Sequence, residues 1–428
     1  MSRRKLGLVD CVGIGINGIV GSGIFLLPAR VFAASGGLSW AAWFAIGGVC
    51  LLVGLCFGEA AGRTDRNGGP YVYTRDAFGN LPSVAVGWMS LSSVLLGYGA
   101  VARGLGRNLS FLIPGLAAPS TQIALAIAVI AGLSLLNFRG VKPGAIASDI
   151  FSGAKLIPLL FFVAVGLFFV DFRRLSVPPP AGASTLSALK VGGLAALFAC
   201  TGFEYVPVPA GETDNPRRNV PLALLGSLFG ATLLYALVQV VFIGTHPDPG
   251  AADKPLAEAA AAFGGAWAGR FLTLGAVVSS FGFCAGVALV APRYLAVLGE
   301  DAAFPTALAR LHPRFGTPTV AIAVTGAVTA GLVVFADFDR LSDLSNAAVF
   351  AQYVPTCLAV LVLRRKHRER SGFVLPWGPL IPVLATLGCL LFLNGISRAD
   401  VTFSVATLAV GLAAHGVYRA LRLRRRPG

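Results

Sequence analysis

Residues 18–28 read GIVGSGIFLLP and lie in the first apolar stretch of the chain, where a membrane-spanning helix is expected. Three glycines, one serine and one proline fall within this short segment. In a helix interior each glycine costs roughly 1 kcal/mol relative to alanine, and proline costs about 3 kcal/mol. The weakest helical backbone therefore lies in the middle of an apolar stretch, which predicts that the helix is interrupted there.

The composition places the chain among membrane proteins. Of its 428 residues, 56% are hydrophobic and 12% are charged, whereas soluble domains contain about 25% charged residues. Its apolar runs repeatedly reach the roughly 20 residues that span the hydrocarbon core of a bilayer. The alternating segments of about ten residues that are typical of membrane β-barrels do not appear. We therefore predict an all-α polytopic membrane protein.

The apolar runs predict twelve membrane-spanning helices joined by short loops. No soluble domain is inserted, so we expect residues 1–428 to form a single transmembrane domain. The approximate ranges of the predicted spans are 10–31, 39–62, 82–104, 119–138, 147–170, 191–210, 220–244, 270–298, 317–336, 342–363, 377–396 and 401–420.

The distribution of basic residues predicts the orientation of the chain. If the N-terminus is inside, about two thirds of the 34 Lys and Arg residues fall on the cytoplasmic side, as the positive-inside rule requires. Both termini are then cytoplasmic, and the expected location is the plasma (inner) membrane. Topology and anionic lipid headgroups account for the net charge of +15, so membrane lipids are expected partners and nucleic acid is not.

The residues that carry most enzyme chemistry are scattered. The seven cysteines lie singly in or beside apolar spans without CxxC spacing, and the four histidines lie in loops or near the last span's end. Buried thiols of this kind act as small hydrophobic groups, so we expect no metal site and no cofactor. The spans also lack the aspartate pair, or the serine and histidine, of an intramembrane protease. We therefore expect no enzymatic activity.

A second apolar segment is interrupted like the first. Residues 194–221 read LAALFACTGFEYVPVPAGETDNPRRNVP, with Gly202 in the middle and Pro207 and Pro209 soon after. The two interrupted segments are spans one and six, which correspond if the chain consists of two five-span halves followed by two further helices. Glycines that allow close helix packing are the alternative explanation.

Paired interruptions of this kind indicate the binding site of a secondary transporter. Unwound backbone at the middle of a membrane is tolerated only where it lines a cavity or is buried in protein. Free N–H groups at a helix N-terminus attract an anion, and free carbonyl groups attract a cation. A zwitterionic amino acid needs both kinds of group, so it is the expected substrate.

Five segments resemble the permeases of the amino acid–polyamine–organocation (APC) superfamily, in order along nearly the whole chain. They are GIGINGIVGSGIFLLPARVFAASGG (13–37), GEAAGRTDRNGGPYVYTRDAFG (58–79), ACTGFEYVPVPAGETDNPRRNVPLAL (199–224), APRYLAVLGEDAAFPTALARLHPRFGTP (291–318) and LPWGPLIPVLA (375–385).

The resemblance implies the LeuT-like fold, in which two five-helix repeats of inverted topology are followed by two additional helices, and helices 1 and 6 are broken. Repeat one then covers about 10–170, repeat two about 191–363, and the additional helices about 377–420.

The resemblance also implies roles for the first interrupted segment. The backbone N–H groups of Gly21, Ser22 and Gly23, together with the Ser22 hydroxyl, would bind the α-carboxylate of the substrate. The carbonyl group of Ile19 would accept hydrogen bonds from its α-ammonium group.

In the second interrupted segment, the resemblance assigns the carbonyl groups of Phe198 and Thr201 to the α-ammonium group, with Gly202 beside them. The Phe198 ring corresponds to an aromatic gate over the substrate. Where arginine–agmatine antiporters carry a tryptophan in span eight, alignment of the following segment places Val287. Arginine is therefore disfavoured, and a neutral or aliphatic amino acid suits the site better.

Two ionisable residues are expected to act in coupling or gating. Lys155 is the only lysine inside a predicted span, and a buried cation must find a partner, contact carbonyl groups or lose its proton. The alternative is that Lys155 extends to the membrane surface. Proton-coupled relatives place a lysine here instead of a sodium ion, and Glu204 corresponds to a gate or coupling acid. An ion pair that holds the helices together is the alternative for Glu204.

These observations predict a secondary active transporter that moves an amino acid by alternating access. We expect it to be proton-coupled or to exchange substrates, without sodium, and to act as a monomer or homodimer. The alternatives are an amino acid/polyamine antiporter and an amino acid sensor with a transporter-like fold.

Overall fold

The computed structural model describes residues 6–63, 68–140, 145–207, 213–366 and 373–424, except the side chains of residues 145–152 and of residue 424. Within these ranges the regular structure is helical, and one isolated β-bridge joins Leu6 to Thr213. The tails at residues 1–5 and 425–428, to which the predicted orientation refers, lie outside the described residues.

Fifteen α-helices are present within the described ranges. In chain order they are α1 (Leu8–Ile19), α2 (Gly23–Leu26), α3 (Pro28–Ser35), α4 (Ser39–Gly62), α5 (Pro70–Phe78), α6 (Asn80–Leu109), α7 (Pro119–Phe138), α8 (Ala145–Gly166), α9 (Thr185–Cys200), α10 (Pro216–Thr245), α11 (Pro255–Glu300), α12 (Thr319–Phe335), α13 (Phe338–Lys366), α14 (Leu380–Leu393) and α15 (Arg398–Arg424).

The helices have the length and composition of a polytopic membrane protein, as the sequence predicts. In the part of the chain that the structure describes, nine helical segments are long and apolar enough to cross a membrane. Three shorter apolar helices, Gly153–Phe169, Thr319–Phe335 and Leu380–Leu393, correspond to predicted spans five, nine and eleven. Each of the twelve predicted runs coincides with a helix, whereas twelve crossings of a membrane remain a prediction.

Most predicted boundaries agree with the observed helices within a few residues, and span eight is the main exception. Its helix, α11, begins at Pro255 instead of near residue 270. Gly265 has a φ of 74°, which bends the chain between a short first helical part and the longer part that follows. The sequence prediction recognised the longer part alone.

Both predicted interruptions are present. Helix α1 ends at Ile19, Val20 has an extended backbone (φ −83°, ψ 92°), and helical structure resumes at Gly23. Helix α9 ends at Cys200, and Gly202 has a left-handed φ of 102° before a single 3₁₀ turn. We call residues 19–22, which include the last residue of α1, the first break, and residues 201–202 the second break.

The two broken segments touch through their backbones. A Cβ atom added to Gly202 would lie 2.1 Å from the carbonyl oxygen of Gly18, and one added to Gly18 would lie 2.6 Å from the carbonyl oxygen of Gly202. Real side-chain carbon atoms do not approach an oxygen so closely. Glycine is therefore required at both positions, because this contact brings the two breaks together in the centre of the protein.

The other helices enclose these segments. Helix α1 packs against α8 and α10, and α9 packs against α3 and α4. The most extensive packing is between α4 and α10, between α6 and α13, and between α11 and both α6 and α8. The two breaks are therefore held inside a bundle whose walls include α6, α8, α10, α11 and α13.

Ion pairs form a cluster at one end of the bundle. Arg30 on α3 lies 2.8 Å from Asp343 on α13, and Arg107 at the end of α6 lies 2.9 Å from Asp339. Arg340 on α13 also pairs with the first turn of α15 through Asp400. These partly exposed pairs join the ends of four helices.

A buried ion cluster lies at the opposite ends of the helices. Glu59 on α4 is fully buried, and its carboxylate contacts Arg63 at 2.8 Å and Arg364 on α13 at 2.6 Å. The backbone N–H of Leu375 donates to the same carboxylate at 3.0 Å. Glu59 therefore links α4, α13 and the segment that leads to α14.

Candidate functional site

A small cavity lies between the two breaks. Its free volume for water is about 10 Å³, so the cavity accommodates roughly one water molecule. A larger molecule such as an amino acid enters only if the walls move apart. Of the nine residues that the sequence assigns to binding, coupling or gating, six line this cavity: Ile19, Gly21, Gly23, Phe198, Thr201 and Glu204.

Lys155 lies behind the first break and does not line the cavity. Its side chain is fully buried, and Nζ donates hydrogen bonds to the carbonyl oxygen of Val20 at 2.7 Å, to Oδ1 of Asn17 at 2.7 Å and to the carbonyl oxygen of Asn17 at 3.2 Å. The three donors of the ammonium group therefore have three acceptors on α1 and the first break. This arrangement satisfies the carbonyl groups that the end of α1 leaves free.

Two further side chains bind the carbonyl groups of the first break. The Ser279 hydroxyl on α11 donates to the carbonyl oxygens of Val20 at 2.9 Å and Gly21 at 3.2 Å. The Tyr235 hydroxyl on α10 donates to the carbonyl oxygen of Ile19 at 3.2 Å. The N–H of Gly21 also donates to this oxygen, at 3.1 Å. The Ile19 carbonyl, which the sequence assigns to the α-ammonium group, thus already accepts two hydrogen bonds, and the Gly21 N–H is already a donor to it.

The polar groups of the second break form hydrogen bonds mainly within their own segment. The Thr201 hydroxyl donates to the carbonyl oxygen of Phe198 at 2.8 Å, and the N–H of Gly202 donates to Oε2 of Glu204 at 2.8 Å. The Tyr353 hydroxyl on α13 donates to the same Oε2 at 3.2 Å. The Glu204 side chain is 2% exposed. The carboxyl group of Glu204 therefore accepts hydrogen bonds from neutral donors and belongs to a residue of the cavity wall.

Gly202 positions the second break but does not line the cavity. Its positive φ directs the chain away from α9, and its missing side chain allows the contact with Gly18 described above. In this structure Gly202 thus shapes the wall without lining the interior, and its assignment to the substrate site stays a prediction.

Ser22 points away from the cavity. Its Oγ atom lies 2.9 Å from the position that a Cβ atom on Gly104 of α6 would take, and the residue is fully buried. Among the residues that the structure describes, this hydroxyl has no hydrogen-bond partner. The predicted contact between the Ser22 hydroxyl and a carboxylate is therefore not formed by this geometry, because the side chain is on the α6 side of the break.

The Phe198 ring covers one side of the cavity. It lies edge-on to Phe338, the first residue of α13, with ring centroids 5.8 Å apart. Phe338 is next to the ion-pair cluster of Arg30, Asp339 and Asp343. The ring is thus placed between the cavity and one end of the bundle, and its role as an aromatic gate stays a prediction.

Eight cavity residues were not assigned to the site from the sequence, and five of them lie on helices outside the two broken segments. These five are Ser93, Gly97 and Val101 on α6, Phe283 on α11 and Ser345 on α13. The alignment that points to Val287 on α11 is one helical turn away from the residue in the wall, and Val287 is buried but outside the lining. An aromatic ring therefore faces the cavity from α11 after all. In the sequence, the small residues Ser93 and Gly97 of α6 were the feature that could have pointed to this wall of the cavity.

The chain was compared with known proteins. A family model described as "Amino acid permease" matches residues 6–413. The chain belongs to the amino acid permease family. Its place in the APC superfamily is thereby confirmed, and the members of this family are transporters and not enzymes.

Three curated relatives are similar over almost their whole length. The "Serine/threonine exchanger SteT" of Bacillus subtilis (strain 168) is 28% identical over 99% of this chain and 98% of the relative. The "Methylthioribose transporter" and the "Branched-chain amino acid permease BcaP" of the same organism are 26% and 27% identical, and each alignment covers 97% of this chain and 93% of the relative. The names of these relatives agree on transport and differ in substrate.

Proposed function

We propose that this permease is a secondary active transporter that binds one amino acid between the two breaks and moves it across the plasma membrane by alternating access. The observation that carries the proposal is the enclosed cavity, which lies where two interrupted helices touch and expose backbone polar groups at the centre of the bundle.

The substrate's charged groups would bind the two breaks. Its α-carboxylate would accept hydrogen bonds from the backbone N–H groups of Gly21, Ser22 and Gly23, where helical structure resumes. Its α-ammonium group would face the carbonyl groups of Ile19, Phe198 and Thr201. The Phe198 ring, which covers one side of the cavity, would close over the bound amino acid.

The fold would be twelve membrane-spanning helices in two inverted five-helix repeats with two additional helices, and both termini would be cytoplasmic. Every ion pair among the described residues joins two positions that this topology places on the same side of the membrane. This agreement supports the proposed sequence of crossings. Alternating access then requires the cluster at Arg30 and Asp343 to open in one state and the cluster at Glu59 in the other.

Protons would drive transport in place of sodium. The ammonium group of Lys155 bridges α8 to the first break, so its loss of a proton would loosen this link between scaffold and broken helix. Glu204 would gate or couple from the cavity wall. Substrate exchange, to which the name of the relative SteT refers, is compatible with the same site and would need no ion. The protein would act in contact with membrane lipids as a monomer or homodimer.

Uptake into proteoliposomes tests the proposal. Purified protein should accumulate at least one labelled amino acid, and Gly21→Val should abolish uptake, because a Cβ atom there already lies 3.4 Å from the Phe283 ring. Gly48→Val on α4 is the matched control, since nothing lies within 4 Å of its added Cβ. Binding of amino acids without uptake would indicate a sensor. Uptake of polyamines against an amino acid gradient would indicate an amino acid/polyamine antiporter.

A further inference from the structure

Two serines form part of the cavity wall contributed by α6 and α13. The Oγ atoms of Ser93 on α6 and Ser345 on α13 are 3.2 Å apart, and both residues line the cavity. Each side chain is almost completely buried, with 5% and 3% exposure. A pair of hydroxyl groups therefore faces a space that the backbone groups of the two breaks border as well.

The hydrogen bonds of this pair leave acceptor capacity. Ser345 Oγ can donate to the carbonyl oxygen of Ser93 at 3.0 Å, and Ser93 Oγ can donate to the carbonyl oxygen of Ser345 at 3.3 Å. A hydroxyl group has one hydrogen and two acceptor lone pairs. When both hydrogens bind backbone carbonyls, both oxygens can accept a hydrogen bond from a hydroxyl group in the cavity.

The cavity is narrow next to the two serines. Ser93, Gly97 and Val101 are spaced four residues apart on one face of α6, and all three line the cavity. A Cβ atom on Gly97 would lie 3.6 Å from Ser345 Oγ and 3.7 Å from the Phe198 ring. These are ordinary van der Waals distances, so the gap at Gly97 has the width of about one methyl group. A side chain of one or two heavy atoms beyond Cβ fits here better than a long one.

We propose that the Ser93–Ser345 pair makes the transporter select amino acids with a short hydroxyl side chain, serine and threonine, over aliphatic amino acids of the same size. The inference rests on the proposed function, because it needs the substrate's α-amino and α-carboxyl groups at the breaks. The substrate hydroxyl donates to a serine oxygen of the pair. An aliphatic analogue desolvates the two serine oxygens without replacing their hydrogen bonds, and such a loss reduces binding.

Isosteric substrate pairs test this selectivity. In proteoliposomes that exchange labelled for unlabelled amino acid, threonine should compete for uptake at least about tenfold more strongly than valine, and serine more strongly than alanine. In the double variant Ser93→Ala/Ser345→Ala the threonine-to-valine ratio should fall to about one, mainly because threonine binds less tightly. Ser92→Ala is the matched control, since Ser92 Oγ donates to Trp88 O within its own helix and Ser92 does not line the cavity.

The outcomes separate this inference from the proposed function. If the parent protein transports valine as well as it transports threonine, the hydroxyl selectivity is wrong and the transporter function stands. If the double variant keeps the parent's ratio, the serine pair is not the selecting group. If the double variant does not fold, Gly97→Ala replaces it, and filling the gap should reduce threonine uptake more than serine uptake. If no amino acid enters the vesicles, both proposals are overturned.

Discussion

The two breaks of the helical backbone are stabilised from different directions. The first break receives hydrogen bonds from side chains on three other helices, namely Lys155, Tyr235 and Ser279. The second break uses residues of its own segment. The Thr201 hydroxyl donates to the carbonyl group of Phe198, and the Glu204 carboxylate accepts a hydrogen bond from the N–H of Gly202. The first break is thus attached to the surrounding scaffold, and the second is largely self-contained.

This difference assigns different tasks to the two segments. Under the proposed mechanism, a break that binds the ammonium group of Lys155 would need no bound metal cation, and it would move only if its contacts with the scaffold change. A break whose N–H group binds a carboxylate would change its own geometry when that carboxylate gains a proton or meets a substrate cation. Substitutions that weaken one break without the other should therefore have distinct effects.

The largest effect is expected from Gly202→Ala, which separates the two breaks. The new methyl group would overlap the Gly18 carbonyl group, and the left-handed backbone alone costs about 1–3 kcal/mol for a residue other than glycine. We expect loss of uptake and a clearly lower melting temperature in detergent. Gly182→Ala is the control, because Gly182 also has a positive φ (82°) but nothing lies within 4 Å of its added Cβ. Equal effects of the two variants would show that the backbone contact is unimportant.

The next largest effect is expected from Lys155→Ala, which detaches the first break from α8. The substrate contacts remain, so binding should survive within roughly tenfold, or about 1.4 kcal/mol. Accumulation driven by a proton gradient should be lost. Affinity and proton-driven uptake are measured on the same purified variant, with Lys190→Ala near the start of α9 as the control. If Lys155→Ala accumulates substrate like the parent, Lys155 is not the coupling residue and Glu204 becomes the leading candidate.

A pair of identical changes compares the breaks directly. Tyr353→Phe removes a donor to Glu204 at the second break, and Tyr235→Phe removes a donor to Ile19 at the first. One hydrogen bond contributes about 1 kcal/mol, so a several-fold change in uptake is expected for each variant. Tyr353→Phe should also shift the pH dependence of uptake, whereas Tyr235→Phe should leave it unchanged. The same pH profile in both variants would contradict the division of tasks.

The smallest effect is expected from Ser279→Ala. The carbonyl oxygen of Val20 keeps its hydrogen bond from Lys155, so the variant should lose at most about 1 kcal/mol of stability and retain proton-driven uptake. Ser280→Ala is the matched control, since Ser280 binds a carbonyl group within its own helix. A loss of uptake in Ser279→Ala as complete as in Lys155→Ala would mean that Ser279 and not the ammonium group holds the first break.

The sequence predicted the parts of the fold that depend on local backbone preference. Glycine and proline weaken a helix wherever it packs, so both breaks were identified, and the apolar runs located α4 and α7 at residues 39–62 and 119–138. The start of α11 was missed because its first part, residues 255–264, is too short to span a membrane and a glycine at residue 265 separates it from the rest.

The orientation of side chains around the cavity could not be predicted in the same way. Helix α6 is buried on most of its surface, so its apolar pattern does not indicate that Ser93 and Gly97 face the cavity. Ser22 lies in a break, where helical periodicity gives no direction, and packing against Gly104 decides where it points. On α11, the resemblance points to Val287, whereas the structure places Phe283, one turn earlier, in the cavity wall.

The most direct test of the account is uptake by the parent protein with and without sodium. If the ammonium group of Lys155 is the cation of the first break, replacing sodium with choline at fixed pH and with an imposed proton gradient should leave amino acid uptake into proteoliposomes essentially unchanged. A requirement for millimolar sodium would contradict the account, because the first break would then need a cation that the protein does not itself supply.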